Sequence, residues 1–263
     1  MREYGLYIDG RWQAAASGQT FETIDPATGQ AVARIAKGGP EDVDLAVTAA
    51  TRAAAEWAAT PLAERSAALY RMAQIIRREE AELALLETLD SGGSLYYSGV
   101  TVRDVDARRF EYFAGLADKL EGQQIPLNQG FLSYTVREPL GVTGHIIPWN
   151  GPLWEASRSV PPALAAGNAV ILKPAQEAAL GAMLLGEIAK EAGLPDGLVN
   201  VIPGPGSSVG QALVDHPGIH GITFTGSVSV GQDIMRRAAS TMKRVTLELG
   251  GNAANIVFPD VNV

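Results

Sequence analysis

The 263-residue sequence contains no cysteine and three histidines. Without cysteine, these residues can form no disulfide, no thiolate metal site and no cysteine nucleophile. The histidines, His145, His216 and His220, belong to no HExxH pattern and to no carboxylate cluster of the kind that binds zinc. We therefore expect no metal site.

Basic charge is also scarce. Lys and Arg number 21 against 29 Asp and Glu, which gives a formal net charge of −8. Neither a nucleic acid nor an anionic membrane surface is an expected partner of such a chain. The first ten residues lack the apolar core of a signal peptide, and the uncharged stretch 159–172 is interrupted by prolines and too short to cross a bilayer. A cytoplasmic location is the expectation.

The first half of the chain changes pattern twice. Residues 6–12, 21–24 and 31–35 read as short extended segments separated by Gly- and Pro-containing turns, which predicts an antiparallel β lead-in. From residue 40 to about 118 the apolar spacing is helical. Residues 122–139 are loop-like and then alternate between apolar and polar side chains, which predicts a half-exposed β arm.

The second half alternates short apolar runs with segments of helix length. The runs are apolar throughout, as is typical of strands buried on both faces of a parallel sheet. The predicted fold class is therefore α/β: a doubly wound, Rossmann-like parallel sheet with helices on both faces, preceded by the β lead-in and the β arm. Ligands of such sheets bind beyond the carboxyl ends of the strands. The five runs are residues 142–147, 169–172, 198–202, 219–224 and 245–247.

Two polar residues that follow these runs are candidates for chemistry. Asn150 comes after the first run, where its amide can donate to a developing oxyanion, an interaction worth roughly 10²–10³ in rate. Glu248 comes at the end of the last run, before two glycines, and can act as a general base. Ordinary interpretations stand beside these: a turn residue for Asn150, and an ion pair or a cap for Glu248.

Three further features point to a nucleotide. Gly204, Gly206 and Gly210 follow the third run, but their GxGxxxG spacing differs from the dinucleotide pattern GxGxxG, and a tight turn is an equal alternative. Ser227 stands at a predicted helix N-terminus, where free N–H groups bind phosphate, although a helix cap explains it as well. Lys173 can reach ribose or phosphate, whereas most lysines are merely solvated.

Taken together, four ordered motifs resemble the aldehyde dehydrogenase superfamily. Two earlier segments, Ile8-Asp9-Gly10-x-Trp12 and Asp25-Pro26-Ala27-Thr28-Gly29, extend the resemblance over essentially the whole chain. The four motifs are Ile147-Pro148-Trp149-Asn150-x-Pro152, Ala166-Gly167-Asn168-x-Val170-x-x-Lys173-Pro174, Phe224-Thr225-Gly226-Ser227-x-x-x-Gly231 and Leu247-Glu248-Leu249-Gly250-Gly251.

The resemblance implies a role for each candidate. Trp149 and Ser227 would lie by the cofactor diphosphate, Lys173 and Gln176 would meet the adenosine ribose, and Gly206 and Val230 would border the adenine. Asn150 would donate to the oxyanion and Glu248 would be the general base. The implied cofactor-binding residues are Ile146, Ile147, Pro148, Trp149, Lys173, Gln176, Gly206, Phe224, Gly226, Ser227, Val230 and Leu249.

In that family a cysteine thiolate attacks the aldehyde, hydride passes to nicotinamide, and water hydrolyses the thioester. The resemblance places this cysteine, with the catalytic domain, beyond residue 263. It implies three parts: residues 1–121, the β lead-in and helices of the cofactor-binding domain; 122–140, a β arm of the oligomerisation type; and 141–263, the Rossmann-like NAD(P)-binding core. With the catalytic domain absent, no aldehyde oxidation is expected from these residues alone.

Two departures from the family pattern leave the choice of cofactor and the aldehyde substrate open. Gln176 stands where many NAD-preferring members carry glutamate, so NAD, slightly favoured by the family, and NADP both stay open. Gly151 replaces the usual aromatic residue, which leaves the aldehyde substrate open. The parent enzyme would act on a small-molecule aldehyde as a homo-oligomer, a dimer or a tetramer.

A different class of function stays open beside the enzyme. A naturally short module could bind nucleotide, or pair with full-length subunits, without catalysis. A short-chain type of Rossmann oxidoreductase is excluded, because it needs a Tyr-x-x-x-Lys pair and no tyrosine here is followed by lysine four residues later.

Overall fold

The structure is a computed structural model that describes residues 1–261. Its strands are β1 (Arg2–Tyr4), β2 (Leu6–Ile8), β3 (Arg11–Gln13), β4 (Thr20–Ile24), β5 (Ala31–Ala36), β6 (Gln124–Ile125), β7 (Ser133–Tyr134), β8 (Val142–Ile146), β9 (Ala169–Lys173), β10 (Val199–Val201), β11 (Gly221–Gly226) and β12 (Arg244–Leu249).

The α-helices are α1 (Pro40–Ala59), α2 (Leu62–Arg78), α3 (Glu80–Ser91), α4 (Leu95–Thr101), α5 (Ala107–Ala114), α6 (Pro152–Ala165), α7 (Leu180–Met183), α8 (Leu185–Glu191), α9 (Gln211–Asp215) and α10 (Val228–Ala238). Two π-helical turns, Val102–Asp106 and Gly206–Gly210, lead into α5 and α9. Two short 3₁₀ turns span Ala117–Lys119 and Ala239–Thr241.

The main sheet is the predicted doubly wound one. Its strand order is β12-β11-β8-β9-β10-β2-β3, and the five strands from β12 to β10 run parallel. After β8 the chain builds outward through β9 and β10, then crosses back to place β11 on the other side of β8. Strand order therefore reverses between β8 and β11, and this switch point is where ligands of such sheets bind.

Helices cover both faces of this sheet. Thr143 and His145 of β8 face the side of α6, whereas Gly144 between them faces Leu213 of α9, whose Cβ would lie 3.8 Å from a Cβ added at Gly144. The strands are buried on both faces because each side is covered, which explains why their sequences are apolar throughout rather than alternating.

The β lead-in is present, but its pairing differs in two ways from the sequence expectation. Residues 6–12 form a hairpin, β2 and β3, instead of one extended segment, because Asp9 and Gly10 adopt positive φ angles of 55° and 72° at the turn. Strand β2 also pairs with β10 and so extends the main sheet. The other lead-in strands form a separate sheet in which β1 runs parallel to β5.

Residues 122–138 form an exposed arm with its own two-stranded sheet, whereas Pro139 and Leu140 already pack near Gly167 and Gly221. Strands β6 and β7 pair antiparallel within the arm, with Gln124 opposite Tyr134. The alternating side chains Leu132, Tyr134 and Val136 are all exposed. Within residues 1–261, no helix has the length and apolar character to cross a membrane, and the same residues bring no three His, Asp or Glu side chains together as a metal site.

Candidate functional site

A cavity of about 570 Å³ lies at the switch point between β8 and β11. We call it the switch-point cavity. It gathers residues from the carboxyl ends of β8, β9 and β11 and from the first turn of α10, which are far apart in sequence. Ten of the twelve residues predicted to bind a cofactor line it: Ile146, Ile147, Pro148, Trp149, Lys173, Gly206, Phe224, Gly226, Ser227 and Val230.

The other two predicted cofactor residues do not line this cavity. Gln176 is half-buried in the loop after β9. Leu249, the last residue of β12, packs against α10 at Gly231, where an added Cβ would lie 2.7 Å from Leu249 Cδ2. Gly231 is therefore required for this close packing, which holds the end of β12 near the helix.

Ser227 caps α10. Its backbone is extended (φ −73°, ψ 150°), and its Oγ accepts a hydrogen bond from the Val230 N–H at 3.4 Å. The ordinary interpretation as a cap is thus correct. Because the same residue lines the cavity, the first turn of α10 presents its N–H groups and the positive end of the helix dipole to a ligand there.

Lys173 is the basic group deepest in the switch-point cavity. It is 5% exposed, and its burial lowers the pKa of the ammonium to about 8, an effect that the charge of nearby Glu177 opposes. A buried lysine gains most from a ligand that brings hydroxyl or anionic oxygens to it, because those groups replace lost water.

The sequence did not identify several residues on one face of α10. Asp233, Ile234 and Arg237 follow Val230 by one and two helical turns and line the same cavity. Arg237 bonds to Asp233 at 2.8 Å and to Asp215 of α9 at 3.0 Å. Their i, i+3, i+4 and i+7 spacing from Val230 was the signal that could have found them.

The glycine turn after β10 is part of the cavity. Gly206 begins the π-helical turn that leads into α9 and lines the cavity, as does Gly210. Gly204 has a packing role, since an added Cβ would lie 2.6 Å from Val209 Cγ2. Gly204 therefore has the packing role of a tight turn, and dinucleotide binding by this turn stays a prediction.

Asn150 faces a different cavity, of about 280 Å³, which we call the Asn150 cavity. Trp149 lines the switch-point cavity and Asn150 the other one, so the turn formed by residues 149–151 separates the two spaces. Gly151 adopts φ 155°, ψ 66°, a conformation that favours glycine. The lining residues of the Asn150 cavity are Glu87, Ser91, Gly93, Tyr97, Ser98, Thr101, Val102, Asp106, Asn150, Gly151 and Trp154.

Two buried carboxyl groups line the Asn150 cavity. Burial raises the pKa of Glu87 to about 8 and that of Asp106 to about 7. Asp106 accepts a hydrogen bond from Ser157 Oγ at 2.8 Å, and the Arg109 guanidinium, itself bound to Ser157, opposes the rise of its pKa. Near neutral pH, a fraction of the molecules therefore has a protonated Glu87, and a fraction has a protonated Asp106.

Glu248 lies at the exposed edge strand β12, with its side chain 61% exposed. Arg158 of α6 binds it at 3.1 Å and also reaches Glu155 at 3.4 Å. Glu155 is buried and accepts a hydrogen bond from Thr225 at 3.1 Å. The structure does not bring Glu248 and Asn150 into one cavity: α6 links them, because Asn150 precedes its first turn and Arg158 lies in its second.

A third cavity, of about 360 Å³, lies on the α6 side of the sheet and contains His145. Burial lowers the pKa of His145 to about 4, and its Nε2 lies 2.9 Å from Thr143 Oγ1. The ring is neutral at physiological pH, so His145 is no acid–base candidate.

A parallel sheet whose switch-point cavity contains a helix N-terminus and a buried lysine is typical of nucleotide-binding α/β proteins. The sequence profile of the aldehyde dehydrogenase family matches residues 12–263. The chain belongs to the aldehyde dehydrogenase family, a family of NAD(P)-linked oxidoreductases.

Solved structures agree with this assignment. An aldehyde dehydrogenase from Bacillus cereus, in a complex with NAD⁺, matches at a TM-score of 0.93 and 40% identity over 98% of this chain and 53% of its own. An NAD-dependent aldehyde dehydrogenase from Sinorhizobium meliloti matches at 0.92 and 39%, over 95% and 51%. PnpE from Pseudomonas sp. WBC-3 matches at 0.91 and 44%, over 100% and 54%. The chain spans about half the length of these relatives.

Proposed function

We propose that this chain is the NAD(P)-binding portion of an enzyme that oxidises an aldehyde to a carboxylic acid. One observation carries the proposal: ten residues chosen from sequence motifs line a single cavity at the switch point of the sheet. Its volume, about 570 Å³, suits a cofactor, and its lining combines apolar side chains with a few polar groups.

The lining fits a dinucleotide in chemistry as well as size. The first turn of α10, with Ser227, would bind the diphosphate beside Trp149. Lys173 would meet the adenosine ribose, with Gln176 approaching from the loop beyond β9. Gly206 and Val230 would border the adenine. When bound, the nicotinamide supplies the acceptor for a hydride; the residues named here bind and orient it. A complex of a 40% identical relative with NAD⁺ supports NAD, and Gln176 leaves NADP open.

Asn150 and Glu248 would serve the chemistry of the aldehyde. The Asn150 amide would donate to the oxyanion that forms on the carbonyl oxygen, and Glu248 would take the proton from a thiol or from the hydrolytic water. A thiol nucleophile cannot come from these residues, because none of the 263 is cysteine. We expect the 263 residues alone to oxidise no aldehyde.

The exposed arm supports a homo-oligomeric enzyme. Residues Phe131, Leu132, Tyr134 and Val136 present apolar side chains to solvent on residues 122–140, and an apolar surface of this kind is typical of a contact between subunits. The aldehyde, the oligomer and a cytoplasmic location remain predictions for the whole protein.

A non-catalytic module that binds nucleotide or a partner subunit is the alternative. It is favoured by β12, which pairs with β11 on one side and leaves its other edge open within the described residues. The two proposals agree on the cofactor and differ on Glu248 and Asn150, which a module would not need.

Titration of the chain with NAD⁺ and, separately, NADP⁺ tests the cofactor site. Trp149 is expected to report binding by saturable fluorescence quenching, with Trp149→Phe as the variant that loses the signal. Trp154→Phe is the matched control, because Trp154 faces the Asn150 cavity instead. A folded chain that shows no binding of either nucleotide by calorimetry contradicts the cofactor assignment.

A further inference from the structure

Helix α6 begins with an N-terminus that its own residues leave uncapped. The N-cap is Gly151, which has no side chain, and Pro152 follows it. The missing acceptor comes from another helix: Glu87 Oε1, in the last turn of α3, accepts a hydrogen bond from the Leu153 N–H at 3.2 Å. The free N–H groups of a first turn carry the positive end of the helix dipole, so a carboxyl group there stabilises the turn.

Glu87 has little freedom to move. It is 8% exposed and packs against α7 at Gly181, where an added Cβ would lie only 2.1 Å from Glu87 Oε1. Any larger residue at position 181 would displace the carboxyl from α6. The glycine thus makes room for Glu87 between α6 and α7.

A neighbouring acid has the same function for a different helix. Asp90, three residues after Glu87, accepts hydrogen bonds from the N–H groups of Ala179 and Leu180 at 2.5 and 2.7 Å and so caps α7. It also binds the Thr23 hydroxyl. Two buried carboxyl groups of α3 therefore hold the starts of two helices, and only Glu87 holds the helix that follows Asn150.

The capped turn is the one that separates the two cavities. Leu153 lies three residues after Asn150, and Glu87 lines the Asn150 cavity together with Asn150 and Gly151. We propose that Glu87 is a positioning residue: by holding the first turn of α6, it fixes the direction of the Asn150 amide and the place of Trp149 beside the switch-point cavity. This inference rests on the proposed function.

The raised pKa of Glu87 allows its positioning role to be tested by a pH titration. Burial first, and then the charges of Asp106 and Asp90, raise its pKa to about 8, against the hydrogen bond from Leu153. Arg109 of α5 lies near Asp106, the Tyr97 phenol of α4 lines the same cavity, and α7 contributes no charged side chain. As the pH rises through 8, Glu87 becomes anionic and binds the Leu153 N–H more strongly.

The experiment is an NMR titration of the 263-residue chain between pH 6 and 9.5. It follows the backbone amides of Gly151 and Leu153 and the side-chain amide of Asn150, which Asn150→Asp assigns. We expect a component with a midpoint near pH 8 that is absent in Glu87→Gln. Asp106→Asn should remove a component near pH 7 and, because the Asp106 charge raises the pKa of Glu87, should also move the midpoint of the Glu87 component to lower pH.

Asp90→Asn is the matched control, because it weakens the cap of α7 and leaves that of α6 intact. The Glu87 component should persist in it, with a midpoint below pH 8 because the Asp90 charge no longer raises the pKa of Glu87. A component that survives in Glu87→Gln, or that disappears equally in Asp90→Asn, overturns the positioning role. Glu87→Asp retains the charge on a shorter side chain and should keep the titration with a reduced amplitude at the Asn150 and Leu153 amides. An undiminished amplitude in Glu87→Asp would also overturn the positioning role, so the test stays decisive if Glu87→Gln does not fold.

The test separates this inference from the cofactor proposal, because it needs no ligand. Loss of NAD⁺ and NADP⁺ binding with the pH 8 component intact would reject the cofactor site and leave the cap standing. Nucleotide binding in a chain that lacks the pH 8 component would support the cofactor site and reject the positioning role of Glu87.

Discussion

Arg158 Nη2 lies 3.1 Å from Glu248 Oε2, so the proposed general base is bound to a guanidinium of α6. The same guanidinium reaches buried Glu155, which in turn binds Thr225. Thr225 and Glu248 are register partners on β11 and β12, so the network runs from Glu248 through Arg158 and Glu155 of α6 to the neighbouring strand. The Glu248 carboxylate, although 61% exposed, is therefore paired through one of its oxygens with this network.

Substitutions at Glu248 and at Arg158 should lower the free energy of unfolding by different amounts. Glu248→Gln removes a solvent-exposed ion pair, which is worth about 0.2–1 kcal/mol. Arg158→Gln should cost about 1–3 kcal/mol, because it also leaves the buried Glu155 carboxylate with fewer partners. Urea denaturation of both variants and of the double variant measures the difference. Equal losses in the two single variants would show that Glu155 does not depend on Arg158.

Nucleotide binding should weaken above pH 8. Burial lowers the pKa of Lys173 to about 8, so its ammonium is charged below that pH and neutral above it, and its charge-assisted hydrogen bonds to the ribose hydroxyls weaken as the pH rises. Calorimetric Kd values for NAD⁺ at pH 6.5 and 9.5 check this. Lys173→Arg stays charged throughout and should remove the pH dependence; a dependence unchanged in that variant would assign it to another group.

Substitution of Gly151 should destabilise the protein, because the backbone conformation at this position strains any residue with a side chain. At φ 155° a side chain is strained even though the space is open, since an added Cβ would meet Trp154 Cβ at an ordinary 3.5 Å. Gly151→Ala should lose about 1–3 kcal/mol of unfolding free energy. Gly99→Ala, inside α4, is the control and should be neutral or stabilising. Similar losses in both variants would argue against backbone strain at residue 151.

Gln176 should influence the ratio of the Kd values for NAD⁺ and NADP⁺. Gln176→Glu adds a negative charge near the predicted ribose site and should weaken NADP⁺ binding, through repulsion of the 2′-phosphate, more than NAD⁺ binding. The ratio of the two Kd values at low salt is the measurement. The exposed Glu177→Gln variant controls for general charge, and an unchanged ratio in Gln176→Glu would place residue 176 away from the ribose.

Local sequence was sufficient to predict a structural element where the residues of that element determine it by themselves. The apolar runs around β8, β9 and β11 predicted buried parallel strands, and a helix cap was one of the two interpretations given for Ser227. It was insufficient at residues 6–12, because the positive φ angles of Asp9 and Gly10 convert one extended segment into a hairpin. It also gave no indication that β2 would pair with β10, a contact between residues almost 200 positions apart.

The sequence by itself determined the class of fold, because apolar periodicity is encoded locally, and its resemblance to a known family indicated ten of the residues that line the switch-point cavity. Only the tertiary structure decided which groups support the site. Glu87 caps α6 across 66 residues of chain, and Arg158 binds Glu248 across 90. A carboxylate on a helix looks the same in sequence whether it faces water or a distant helix start, and only packing determines its burial, its partner and hence its pKa.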